Sequence, residues 1–137
     1  EGLIAALDWL SGEMERQHAL KVALQVEGSQ EPVSELRAML FSAVRELLFN
    51  VVKHAGTNEA SVTVVCFPGK AVRVEVKDDG AGFDIGKLEA AGQGEHLGLF
   101  SVRERIQWLG GELDVESVPG AGTRVSISMP LQNVIGE

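Results

Sequence analysis

Apolar residues recur at helical spacing from Leu3 through Ala6, Leu7 and Leu10 to Met14, which predicts a helix over 3–18. The run 20–28 changes period. Leu20, Val22, Leu24 and Val26 alternate with polar neighbours, the signature of a strand. "SQEPVS" reads as a loop, with Ser34 suited to cap the helix that follows. That helix is predicted over about 35–55 and stops at Gly56, a good C-terminal breaker. Residues 59–67 and 70–78 read as two strands joined by "PGK", a link short enough for an antiparallel hairpin.

The stretch 84–97 carries Gly86, Gly92 and Gly94 with weak periodicity and reads as a loop. A helix over 97–111 closes at Gly110–Gly111, and two strands follow around the turn "PGAG". The predicted order α-β-α-β-β-α-β-β suits an α+β fold. Its helices should lie on one face of a mixed, mostly antiparallel sheet, with the other face solvated in part or covered by a partner. No repeat or low-complexity tract interrupts the order.

Length and composition narrow the class. The 137 residues, 45% apolar, fit one domain over 1–137 with a core that needs no staples. Twenty acidic against 12 basic residues give a formal charge of −8. General nucleic-acid and membrane-surface binding both need a basic face, so neither is expected. Cys66 is the single cysteine and reads as a small buried hydrophobe, compatible with a reducing compartment. No stretch approaches the roughly 18 apolar residues of a membrane span, and no signal peptide is visible. The chain opens in mid-pattern and is expected to be a fragment of a longer protein.

The long helix carries a polar stripe. At about 100° per residue, Glu46, Asn50 and Lys53 fall within about 60° of one another. Leu36, Leu40, Val44, Leu47 and Val51 occupy the neighbouring sector and should face the core. The stripe is either a solvated face with a weak helical pair or a site. In the second case Glu46 and Asn50 offer oxygens to a hard cation such as Mg²⁺, and Lys53 can meet phosphate. His54 lies nearer the core sector.

"DDGAGFD" (78–84) follows a strand and raises the sharpest question. A calcium loop would put Asp78, Asp84 and Glu89 at loop positions one, seven and twelve. Positions three and five would then be Gly80 and Gly82, which bring no side-chain oxygen, and Phe83 would stand where that loop needs glycine. The calcium reading is rejected. An Asp-Gly turn accounts for one glycine and leaves the second unexplained. Two more glycine strings follow. "HLGLFSV" sets Gly98 at a helix start, where free N–H groups favour an anion, and "GAGT" (120–123) opens the last strand.

The ordered set "ELLFNVVKHA", "DDGAGFD", "HLGLFSVRERI" and "GAGT" resembles the N, G1, G2 and G3 boxes of the ATP-binding domain of sensor histidine kinases. These belong to the wider GHKL ATPases, with gyrase, Hsp90 and MutL. The resemblance spans roughly 34–130, and "GLFSVRERI" with "LGG" is similar to the kinases that pair with NarL-type response regulators. It implies the Bergerat two-layer α/β sandwich and the ligands ATP and Mg²⁺. It implies activity as an ATP-dependent histidine kinase in two-component signalling, in the cytoplasm, with a parent that can be membrane-anchored.

Residue by residue, the resemblance makes Asn50 the Mg²⁺-binding asparagine and Glu46 the acidic position one turn earlier, a candidate base. Lys53 and His54 fall at the end of that box, near the phosphates. Asp78 matches the aspartate that receives the adenine amine. Gly80 and Gly82 match glycines that bring backbone close to the nucleotide, Asp79 should be a rim residue, and Phe83 with Asp84 begins the lid. Gly98 and Leu99 match the second glycine box, with His96 where its first glycine commonly stands. Thr123 matches the threonine that helps to hold adenine.

No phosphoacceptor segment is visible, because His18 is followed by Ala19 and Leu20 rather than by an acid. The partners implied are therefore a dimerisation and phosphoacceptor domain outside these residues and a response regulator downstream. Two rivals share the boxes: an anti-sigma-factor serine kinase and a non-catalytic, nucleotide-gated module. The "FSVRERIQWLGG" helix favours the first reading, and an intact Asn50 counts against the last.

Overall fold

The computed structural model of the chain describes residues 2–28, 34–86 and 97–130. Its elements are α1 (Leu3–His18), β1 (Lys21–Glu27), α2 (Ser34–Asn50), β2 (Glu59–Phe67), β3 (Ala71–Asp78), α3 (Leu97–Trp108), β4 (Glu112–Ser117) and β5 (Thr123–Pro130). A π-helical turn, Val51–Ala55, prolongs α2. The order is the one that the pattern predicts.

The strands form one sheet in the order β1-β2-β3-β5-β4. β1 runs parallel to β2. The pairs β2–β3, β3–β5 and β4–β5 are antiparallel. A parallel pair needs a long crossover, and α2 lies in the connection between β1 and β2. A second crossover, β3-α3-β4, passes over the place that β5 then fills between β3 and β4.

Period-two alternation decides which face is buried. Val62, Val64, Val72, Val74, Val76, Val125, Ile127 and Met129 point to one side and are buried. The helices cover that side with Leu7, Leu10 and Met14 of α1, Leu40, Val44 and Leu47 of α2, and Val102 and Ile106 of α3. The opposite face carries Arg73, Lys77 and Arg124, all exposed. Arg124 pairs there with Glu75 at 3.3 Å and Glu116 at 3.4 Å. Exposed pairs of this kind contribute little to stability. They mark the face as solvated. The result is the expected two-layer α+β arrangement.

Two local departures matter. Val26, predicted on the buried side of β1, is 39% exposed, and Val22 and Leu24 are only half-buried. β1 is an edge strand, with a neighbouring strand on one side only. The long helix also does not keep a single period. After Asn50 it widens into the π turn and stops at Gly56 in the left-handed region, φ 69°. Widening one turn to i→i+5 spacing rotates every later side chain relative to an ideal helix. Among the described residues no helix is long and apolar enough to cross a membrane.

The burial pattern makes a contrast that chemical denaturation can check. Leu40 is fully buried on α2 and Trp108 is 88% exposed at the end of α3. Leu40→Ala should lower unfolding free energy by about 2–5 kcal/mol. Trp108→Ala should stay within about 0.5 kcal/mol of the unaltered chain. The reverse ranking would contradict the assigned faces.

Candidate functional site

The alternation that buries Val72, Val74 and Val76 continues one step further, to Asp78. The last inward position of β3 is thus a carboxylate. It is 7% exposed, while its neighbour Asp79 is exposed. Asp78 borders a cavity of about 200 Å³ whose other polar or aromatic walls are Asn50, His54, Phe83 and Thr123. Leu47, Val76, Leu99 and Val125 make its apolar side. An apolar slot with a few convergent polar groups is the usual form of a ligand site. Pockets that enclose a whole drug-sized ligand run to roughly 300–1,000 Å³. This slot suits a planar heterocycle, and any larger ligand must extend past its rim.

Burial holds the Asp78 carboxyl above the ordinary aspartate range, because the charged form loses solvent. The Gly80 N–H, donating to Asp78 Oδ1 at 2.8 Å, acts in the opposite sense, and the adjacent Asp79 charge adds to the rise. A carboxylate has about four lone-pair directions. One is used inside the loop, so acceptor capacity remains for a ligand in the cavity.

The loop after Asp78 is fastened on two sides. The Ala81 N–H donates to the Ala55 carbonyl at 2.7 Å, at the end of the π turn. The Ala81 carbonyl accepts the Gly120 N–H at 2.6 Å, from the β4–β5 turn. Phe83 N–H donates to Ser117 Oγ at 2.8 Å. These approaches explain both glycines of the loop. A Cβ at residue 80 would collide with the Ala55 carbonyl and lie 2.7 Å from its Cβ. Gly82 has φ 65° and faces the Val118 carbonyl, with the Gly122 carbonyl 2.9 Å from where a Cβ would sit. Gly122, φ 85°, lies in turn against the Asp78 main chain. Both loop glycines therefore answer first to neighbouring protein backbone, and Gly82 also borders the cavity.

Apart from Gly80, which packs on Ala55, the predicted site residues fall into four groups. Asn50, His54, Asp78, Gly82, Phe83, Leu99 and Thr123 meet at the cavity. Glu46 and Gly98 meet each other just outside its wall, where a Cβ on Gly98 would strike the Glu46 carboxylate. That carboxylate lies by the first turn of α3, which favours negative charge. Lys53 is exposed and is not on the wall, although an ideal helix sets it on the same stripe as Asn50. His54, one helical turn after Asn50 and on its core-facing side, lines the wall instead. His96 and most of the 84–97 segment lie outside the described residues. No cluster of three or more His, Cys, Asp or Glu suited to a metal occurs among the described residues.

Sequence reasoning missed Ser117. Its hydroxyl accepts from Phe83 N–H, touches the Gly122 carbonyl at 3.1 Å and meets Thr123 Oγ1 at 2.8 Å. The available signal was register. In a hairpin closed by "PGAG", Ser117 is directly opposite Thr123.

Comparison with known proteins agrees with this geometry. The family model for histidine kinase-, DNA gyrase B- and HSP90-like ATPases matches residues 35–133. The sensor histidine kinase NarS of Mycobacterium tuberculosis is 35% identical over 96% of this chain, which spans 30% of that protein. The sensor histidine kinase YhcY of Bacillus subtilis is 34% identical over 83% of the chain, which matches 29% of it. Among solved structures, the blue-light activated histidine kinase of Erythrobacter litoralis EL346 superposes with a TM-score of 0.76 at 29% identity. That alignment covers 98% of this chain and 44% of the other. The chain thus spans less than a third of these curated relatives. With the boxes in order, the cavity between them and this breadth of match, the chain belongs to the histidine kinase-, DNA gyrase B- and HSP90-like ATPase family, in its sensor histidine kinase branch.

Proposed function

We propose that this domain binds Mg-ATP at the cavity and donates the γ-phosphoryl group to a histidine on a separate dimerisation and phosphoacceptor domain, from which a response regulator takes it. The observation that carries the reading is Asp78, a carboxylate buried to 7% exposure on the wall of a slot sized for a planar ring. A carboxylate there accepts from an exocyclic amine, and hydrogen bonds to charged groups contribute roughly 1.5–3 kcal/mol. The sensor histidine kinases among the relatives support the same reading.

The chain's own residues then divide the work. Asp78 and Thr123 hold the base, and Val76, Leu99 and Val125 supply its apolar surroundings. Asn50, on the cavity wall, offers one amide oxygen to Mg²⁺. The fit is adequate, because this ion takes one or two protein ligands and completes its shell with phosphate and water. Bound there, the ion neutralises phosphate charge. His54 borders the cavity beside Asn50, and the exposed Lys53 is free to meet phosphate beyond the rim. Glu46 is the proton acceptor for hydrolysis or relay. In the transfer itself, an imidazole nitrogen of the acceptor histidine bonds to the γ-phosphorus as the bond to the bridging oxygen breaks, and ADP departs. Such transfer is governed by positioning and charge stabilisation, so no nucleophile is required of this chain.

Mg-ATP, or a non-hydrolysable analogue, should raise the melting temperature, since a ligand of the native state stabilises it by mass action. Asp78→Ala should weaken binding about 10- to 150-fold and erase most of that shift. Asp79→Ala should keep it. Identical melting curves with and without millimolar nucleotide would sink the assignment.

The raised Asp78 pKa predicts a stability cost with a definite sign. A carboxyl whose folded pKa exceeds its unfolded one binds its proton more readily in the fold. The penalty is absent below the unfolded pKa and grows as pH rises through the folded pKa. Asp78→Asn keeps an acceptor for the Gly80 N–H and removes the charge. Without nucleotide it should melt above the unaltered chain at pH 7, and the gap should close in acid. A variant that melts lower at pH 7 would contradict this.

A further inference from the structure

Ser117 ends β4, and its register partner Thr123 begins β5. On its other side Thr123 is paired with Asp78 of β3. Three neighbouring strands therefore present Ser117, Thr123 and Asp78 in one row, and the last two border the cavity.

One arrangement of the two hydroxyl hydrogens satisfies every neighbouring donor and acceptor. A hydroxyl has one hydrogen to give and two lone pairs to receive. Phe83 N–H can only donate, so it occupies one Ser117 lone pair at 2.8 Å. The Gly122 carbonyl can only accept, so the Ser117 hydrogen goes there, at 3.1 Å. In that arrangement the Thr123 hydrogen fills the contact between the two hydroxyls at 2.8 Å, where the geometry allows either one to donate. Thr123 Oγ1 is left with lone pairs alone to offer the cavity. Together with the Asp78 carboxylate, this makes a wall of acceptors.

We propose that Ser117 is a positioning residue for base selection: by taking the Thr123 hydrogen it fixes that oxygen as an acceptor, so the site favours a purine with an amine at this edge over one with a keto oxygen. The inference rests on the nucleotide reading above. Ser117 itself touches no ligand in this scheme and acts through Thr123. In its absence the Thr123 hydroxyl turns freely and can donate to a keto oxygen, which weakens discrimination.

The test is calorimetric titration of Mg-ADP and Mg-IDP, which differ in that amine and keto group. The unaltered chain, Ser117→Ala, Thr123→Ala and the double variant are compared, and melting of each without nucleotide reports on folding. The unaltered chain should prefer ADP. Ser117→Ala should cut the ADP-over-IDP ratio about tenfold, the equivalent of ~1.4 kcal/mol. Thr123→Ala leaves the Ser117 bonds to Phe83 and Gly122 in place and should lose the same ratio, which keeps the test decisive if Ser117→Ala does not fold. In the Thr123→Ala background, adding Ser117→Ala should not change the ratio further, as expected when one residue acts through the other. Equal weakening of both nucleotides by Ser117→Ala would reduce the residue to loop packing and overturn the proposal. So would an unchanged ratio in Thr123→Ala. An unaltered chain that binds both nucleotides equally overturns this proposal alone, whereas one that binds neither overturns the nucleotide reading as well.

Discussion

The peptide of Ala81 is tied on both sides, its N–H to Ala55 at 2.7 Å and its carbonyl to Gly120 at 2.6 Å. This double tie joins the end of the long helix, the loop after β3 and the β4–β5 turn into one wall. Each partner is a backbone group, so the tie does not depend on any side chain. The cavity exists because these three segments close on one another around Asp78. Residues 80 and 82 have room for a hydrogen and no more. Glycine at both positions is therefore a condition of the fold here before it is a condition of binding.

The site is built against the grain of the core. The helix-facing side of β3 is valine at Val72, Val74 and Val76, and then a carboxylate. A buried acid without an opposite charge is unfavourable, and the Gly80 N–H offsets only part of the desolvation. Such a group persists where a ligand compensates it, which is the common trade between stability and function. The π turn at Val51–Ala55 belongs to the same pattern, since such turns occur frequently at functional sites. Both His54 and the Ala55 carbonyl lie within this turn, at the cavity end of the molecule.

Much of this was legible in the sequence where the determinant is local. Strand alternation separates Asp78 from Asp79, and the spacing of Leu36, Leu40, Val44, Leu47 and Val51 picks out the buried side of α2. Less legible was whatever depends on distant backbone. Helical phase sets Lys53 beside Asn50, and the structure leaves Lys53 exposed at the side of the cavity wall that His54 lines. The glycines of "DDGAGFD" look like room for a ligand until Ala55 and Val118 are seen to fill the space. Ser117 has no chemical signature of its own. Its place follows from the β4–β5 register and from a bond to a loop 34 residues away.

The most direct test of a nucleotide site on this clamped wall is an amide NMR spectrum of the chain, titrated with a magnesium complex of a non-hydrolysable ATP analogue. The account predicts shift changes concentrated at Val76–Phe83, Gly122–Val125 and the Leu47–Ala55 end of the long helix. Changes centred on the polar face of the sheet, at Arg73, Glu75 and Ser126, or a spectrum that does not move, would contradict it.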